Sequence, residues 1–248
     1  MTALVGICCQ DGIVIGSDSS ATFTAGPQFR TIEQKVKKVE VIGGQLILAG
    51  SGAVGFGQRF AEIVSEYWGR NQGKNKTPIG FAKDLSAAAV QDFASTGMRP
   101  GGYGALLAFP LSGKIHLCEF PTSDFQPEFK NQNMWFVSMG SGQPITDPFL
   151  GLMRRVFWGD TPPHLNEGIF AVTWTLKHVI ELNPGGIAPP SQIAVLDSTK
   201  KQARLLSDEE IQEHINSADG AEKHLAGFRE ILQGKKGEPI PPAPAGAT

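Results

Sequence analysis

Thr2, Asp18, Lys38 and the glycine-rich turn Gly50-Ser51-Gly52 are the residues whose types and order could do chemistry. A threonine at a free N-terminus can be its own catalyst. Its hydroxyl attacks a carbonyl, and the α-amino group of the same residue takes the proton. An α-amino group titrates near about pH 8, so a useful fraction is neutral at cellular pH. Here that requires loss of Met1, and threonine is small enough for a methionine aminopeptidase to act. A Met-Thr start carries no information by itself, so the weight falls on the residues downstream of Thr2. In Val36-Lys37-Lys38-Val39, strand alternation puts Lys38 on the face opposite Val39 and Val41. Facing solvent, such a lysine does nothing. Facing a cleft, it can pair with Asp18 and lower the proton affinity of groups beside Thr2.

Two glycine motifs compete for attention. Gly50-Ser51-Gly52-Ala53-Val54-Gly55 has the spacing of a dinucleotide-binding turn. However, the helix after it leads into another helix, and the strand before it is the second arm of a hairpin. The required βαβ unit is missing. The glycines are better read as a tight strand–helix junction with N–H groups left to bind an anion. Gly140-Ser141-Gly142 comes after a strand but is not a G-x-S-x-G elbow, and no histidine is placed to complete a serine triad.

The bulk numbers narrow the class. A chain of 248 residues with net charge −2 and 41% hydrophobic residues fits one globular unit with a substantial core. The near-neutral balance argues against general nucleic-acid binding. The N-terminus has no basic n-region and its apolar run stops at Gln10-Asp11-Gly12, so no secretory leader is expected. No apolar run approaches the roughly 20 residues that span a bilayer. Cys8, Cys9 and Cys118 read as reduced and buried, in a cytoplasmic protein. The five histidines show no ligand spacing, so neither a metal nor another cofactor is expected.

The positioning elements come from periodicity. Residues 2–18 read as two strands around an Asp11-Gly12 turn, and 21–32 as irregular. Val36–Ile42 and Gln45–Ala49 form a second hairpin. Helices are expected over Val54–Trp68 and Pro78–Ala94, strands over Tyr103–Phe109, Lys114–Phe120 and Met134–Met139, and a helix over Asp147–Phe157. In the next helix, Leu165–Leu182, the positions Leu165, Ile169, Val172, Leu176 and Val179 make one face. Strands at Ser191–Asp197 and Ala203–Leu206 precede a capping box at Ser207–Glu210. That box opens a helix broken near Asp219-Gly220 and resuming to Leu232. Residues 1–233 then form one domain, and 234–248, rich in Pro, Ala and Gly, a disordered tail. Strands paired as hairpins between helix pairs argue for an α+β sandwich of antiparallel sheets covered by helices.

Taken in order, Thr2, Val5-Gly6, Asp11-Gly12-Ile13-Val14-Ile15, Asp18, Ala21-Thr22, Lys37-Lys38-Val39 and Ala49-Gly50 make a pattern. Gly140-Ser141-Gly142 and Gly185-Gly186 extend it. The chain resembles a proteasome-type β subunit of the N-terminal-nucleophile hydrolase superfamily, most like the bacterial self-assembling homologues. The resemblance implies a four-layer αββα sandwich and a threonine-type endopeptidase. It implies Thr2 as nucleophile, its amine as base, Lys38 as the activating cation, Asp18 as its anchor and the Gly50 N–H as oxyanion donor. Ser141 and Glu181 would support the Thr2 amine, Thr22 would bind substrate backbone, and Leu48, Gly52 and Phe56 would shape the side-chain pocket. The partners it implies are a peptide or unfolded substrate, like subunits in a double ring of six or seven per ring or in an open spiral, and a ring ATPase.

The departures from the family pattern are specific. The stretch between Asp18 and Lys38 is a few residues longer, which leaves Lys35 or Lys37 as alternatives for the lysine role. Glu181 and Pro184 stand where relatives carry an aspartate and a serine. Two other readings therefore stay open: an inactive scaffold subunit, or another N-terminal-nucleophile amidohydrolase or ligase.

Overall fold

A computed structural model describes residues 1–23, 32–71, 76–97, 102–182 and 185–234. In chain order the first half comprises β1 (Leu4–Cys8), β2 (Gly12–Ser17), β3 (Ser20–Phe23), β4 (Ile32–Lys35), β5 (Val39–Ile42), β6 (Leu46–Gly52), α1 (Val54–Asn71) and α2 (Pro78–Ser95). The second half comprises β7 (Tyr103–Leu111), β8 (Lys114–Phe120), β9 (Glu128–Lys130), β10 (Phe136–Met139), α3 (Gln143–Met153), α4 (Leu165–Leu182), β11 (Gln192–Asp197), β12 (Ala203–Leu205) and α5 (Asp208–Leu232).

Alternation along the strands builds the layers. In β1, Val5 and Ile7 face one side and Leu4 the other; in β2, Ile13 and Ile15 oppose Val14. Both faces are apolar, so the strands must be covered on both sides. One antiparallel sheet runs β10-β1-β2-β11-β12 and the other β5-β6-β7-β8-β9. Between them lie Leu4, Ile13, Ile15, Ile47, Leu106 and Leu117, all at most 1% exposed. Each such side chain contributes about 1.5–3 kcal/mol by leaving water. Helices α1 and α2 cover the outer face of the second sheet through Phe60, Phe81 and Leu85. Helices α3, α4 and α5 cover the first through Leu150, Val172, Leu176 and Ile211. The result is the αββα sandwich expected from the sequence.

Helix α4 seats on β2 where the strand has no side chains. A Cβ on Gly16 would lie 2.4 Å from Val172 Cγ1, and one on Gly12 2.5 Å from Leu165 Cδ1. The turn residue Asp11 completes the seat: its Oδ1 accepts from the Leu165 N–H at 2.7 Å, satisfying a donor of the first helical turn.

Several boundaries differ from the expectations. Helix α3 starts at Gln143, not Asp147, because Pro144 fits a first turn where no N–H is needed. Its end widens into a π-turn over Arg154–Trp158. Helix α5 runs unbroken through Gly220. One interior glycine costs about 1 kcal/mol against alanine. Contacts to α4 offset this, among them Trp174 Nε1 donating to Glu222 at 2.8 Å and Lys177 bridging to Asp219 and Glu222. The stretch read as irregular carries β3 and β4, which pair with each other, and β9 adds an edge the sequence did not reveal. The tail read as disordered lies outside the described residues except for Gly234.

Two glycine substitutions should therefore have opposite signs in chemical denaturation. Gly16→Ala drives a methyl into Val172 and is expected to cost about 1–3 kcal/mol. Gly69→Ala, on an open face of α1 with nothing within 4 Å, is expected to add about 0.5–1 kcal/mol.

Candidate active site

The two hairpins bring the catalytic candidates to one point. β1 begins just after Thr2 and β2 ends just before Asp18, and their antiparallel register sets Leu4 opposite Ser17. Residues fifteen and more apart in the chain thus become neighbours. The Asp18 N–H donates to the Ala3 carbonyl at 3.3 Å, and Asp18 Oδ1 accepts from the Ala3 N–H at 3.0 Å. Its Oδ2 accepts from the Ser20 and Ala188 N–H groups at 2.9 and 3.4 Å. The Asp18 side chain is fully buried, and it also takes the ammonium of Lys38, whose Nζ lies 2.8 Å from Oδ1.

Lys38 Nζ also donates to Thr2 Oγ1 at 3.2 Å and to the Met1 carbonyl at 3.1 Å. The Thr2 hydroxyl donates to that same carbonyl at 2.8 Å. Only 7% of the Lys38 side chain is exposed, so the ammonium and the hydroxyl interact with little screening by water. Lys35 and Lys37 are exposed, and Lys37 reaches only the wall of the cleft. Of these three lysines, Lys38 is the one placed against both Thr2 and Asp18. Lys38 lies just before β5, not inside a regular strand as its alternation implied.

The loop after β10 holds the other side of Thr2. The Thr2 backbone N–H donates to Ser141 Oγ at 3.1 Å, and its carbonyl accepts from the Gly142 N–H at 3.1 Å. Gly140 has φ +91°, and a Cβ there would lie 2.3 Å from the Thr2 carbonyl oxygen, so glycine is required on both counts. Behind the loop, Thr146 Oγ1 donates to Ser138 Oγ at 2.7 Å, and Ser138 in turn bonds Asp147.

Thr2 opens into a cleft of about 850 Å³. One wall is Ser20 and Ala21 of β3; the other is Leu48, Gly50 and Gly52 of β6, with Tyr103 beside them. A Cβ on Gly50 would lie 2.2 Å from the Tyr103 hydroxyl, so only glycine leaves this wall open. The β5 ladder ends at the Val39–Ala49 pair, whereas β7 accompanies β6 to Gly52. Beyond Ala49 one edge of β6 has no described strand beside it.

Two expected site residues, Glu181 and Phe56, stand elsewhere, and the side chain of a third, Thr22, is not described. Glu181 is 56% exposed on α4 and pairs with Lys177 one turn earlier, so the helical repeat holds its carboxylate on the α5 side, away from the Thr2 contacts. Phe56 is buried with its ring 4.5 Å from that of Phe93, in the aromatic core beneath the cleft. Thr22 pairs through its backbone with Glu33; its side chain, like Pro184, lies outside the described residues. The sequence also missed Tyr103 and Gln192, whose side chain holds the segment before β5; a lone tyrosine or glutamine at a strand start carries no motif. The cysteines offer no competing nucleophile: burial pushes the Cys8 thiol up to about 12 and raises Cys9 and Cys118 as well.

Comparison with known proteins bears on the family and the fold. The family model described as Proteasome subunit matches residues 2–151, more than half of the chain. The fold is similar to that of Anbu (ancestral beta-subunit) from Yersinia bercovieri, with a TM-score of 0.67 and 15% identity over 98% of this chain and 100% of that one. No curated protein matches in sequence. No helix among the described residues is long and apolar enough to cross a membrane. With a family match of that extent and the sandwich around Thr2, the chain belongs to the proteasome subunit family.

Proposed function

We propose that this subunit is a threonine-type endopeptidase whose nucleophile is Thr2 after removal of Met1. The observation that carries this reading is the convergence of Thr2 Oγ1, Lys38 Nζ and Asp18 Oδ1 in one chain of short contacts at the end of an open cleft. Excision of Met1 frees the Thr2 α-amine beside Ser141 Oγ and releases the hydroxyl and Lys38 from the Met1 carbonyl.

An extended substrate would lie between β3 and the open edge of β6, bonding through its backbone. Thr2 Oγ1 attacks the scissile carbonyl carbon while the hydroxyl proton passes to the α-amine. The negative charge moves to the carbonyl oxygen, where the Gly50 N–H is the donor, and Lys38 stabilises the charge that develops on Oγ1. The C–N bond then breaks and the leaving amine takes the proton. Water, deprotonated by the α-amine, attacks the ester; the acid product leaves and Thr2 regains its proton. Asp18 acts by holding Lys38. No step in this sequence calls for a metal or cofactor. From the family resemblance we also infer that like subunits assemble into a ring enclosing the sites or into an open spiral, with a ring ATPase as the partner that would unfold substrates.

One observation favours a second reading. With Met1 in place, its carbonyl takes the hydrogen bonds of both Thr2 and Lys38, so an unprocessed subunit is a scaffold. Intact mass after incubation with a peptide epoxyketone decides between the two, because that reagent closes a ring on a hydroxyl and a free α-amine of one residue. The expected result is loss of Met1 and one adduct on Thr2; a retained Met1 with no adduct establishes the scaffold. Thr2→Ala should form no adduct and cleave no peptide. Lys38→Met, assayed for peptide cleavage, should lose at least about 10²-fold in kcat through loss of electrostatic stabilisation; activity near wild type would remove Lys38 from the mechanism.

A further inference from the structure

Lys38 owes its position to a segment that belongs to no sheet. β4 ends at Lys35 and β5 begins at Val39, so residues 36–38 have no ladder bonds of their own. Such a segment could take many conformations, and a side chain on it would not hold a fixed distance to Thr2. Apart from the Val36 N–H, which bonds the Ser19 carbonyl, one side chain ties this segment down. Gln192 Oε1 accepts from the Lys38 N–H at 2.9 Å and from the Val39 N–H at 3.2 Å. Gln192 Nε2 donates to the Val36 carbonyl at 2.6 Å and to Ser19 Oγ at 2.7 Å. Donor and acceptor capacity are both used, and an amide offers the two together.

The clamp is itself fixed. Gln192 is the first residue of β11 and sits in register with Ser17, one residue before Asp18. Ser19 Oγ donates onward to the Pro190 carbonyl, and the Ser19 carbonyl accepts from the Val36 N–H at 2.8 Å. The strand pairing that sets Asp18 therefore also sets the residue gripping the backbone of Lys38.

We propose that Gln192 is a positioning residue for the reaction: it holds the 36–39 backbone so that Lys38 Nζ reaches Thr2 Oγ1 and Asp18 at once. The proposal rests on the threonine-peptidase reading for its kinetic arm, and its structural arm stands without that reading. Gln192 is not among the residues that line the cleft; its side-chain hydrogen bonds go to Ser19, Val36, Lys38 and Val39. Val36 and Lys37 of the held segment line the cleft, so loss of Gln192 should chiefly slow the chemistry and weaken substrate recognition only a few-fold.

The test compares wild type, Gln192→Leu and Gln192→Glu in the full-length assembled protein. Epoxyketone inactivation is separated into its maximal rate and its reagent affinity, and hydrogen exchange is followed in the peptide covering 36–41. Gln192→Leu has similar bulk and no hydrogen bonds. It should lower the maximal rate by up to about 10²-fold, the cost of a misplaced catalytic group, with affinity within a few-fold and exchange faster in 36–41. Gln192→Glu keeps the acceptor for Lys38 and Val39 but loses both donors, so its rate should fall between the two. An unchanged maximal rate, or exchange that rises throughout the chain with affinity and rate lost together, overturns the proposal. A wild-type protein that forms no adduct refutes the peptidase reading, and unaltered exchange of 36–41 in Gln192→Leu then refutes the clamp on its own.

Discussion

A buried lysine and a buried aspartate, 2.8 Å apart, set the constraint the rest of this structure satisfies. Asp18 is fully excluded from water and Lys38 nearly so, and removing one partner from such a pair typically costs about 3–5 kcal/mol. The pair is also not self-sufficient. Asp18 draws on three backbone N–H groups, from Ala3, Ser20 and Ala188, which belong to three separate segments. The chain must therefore bring the start of β1, the turn after β2 and the approach to β11 together before the charges can be buried. The antiparallel order β1-β2-β11 does this by strand pairing alone.

The surrounding architecture keeps that point accessible. A sandwich with apolar faces on both sides of each sheet would ordinarily close over any polar group near its edge. Here glycines hold the surfaces apart or let them approach as needed. Gly140 lets the loop lie against the Thr2 carbonyl, and Gly50 leaves room beside Tyr103. Polar chemistry thus survives beside a core whose inter-sheet residues are almost wholly excluded from water.

Much of this was legible in the sequence because it rests on local signals. The hairpin around Asp11-Gly12 formed, the one read over Val36–Ile42 and Gln45–Ala49 formed from Val39 onward, and the capping box at Ser207 and Glu210 formed with both reciprocal bonds present. The Thr2, Asp18 and Lys38 triplet was readable as a pattern, and the fold brings it together. What escaped was set by tertiary contact. Glu181 was placed at the site by its position in the family pattern alone, yet its helical phase pairs it with Lys177. Phe56 looked like a pocket residue, but the aromatic cluster with Phe93 takes its ring. Gln192 carries no signal in one sequence, since its partners Ser19, Val36 and Lys38 lie more than a hundred and fifty residues away in the chain.

The edge of β6 past Ala49, which has no strand beside it among the described residues, bears on what can enter. A bare strand edge on a protein surface invites pairing with any other exposed strand, and proteins usually blunt such edges. Here the edge lines a cleft whose other wall includes Ser20 and Ala21 of β3. On the proposed peptidase reading, that recess would take a single extended chain and exclude a packed sheet, turning an aggregation hazard into a selector for unfolded substrate.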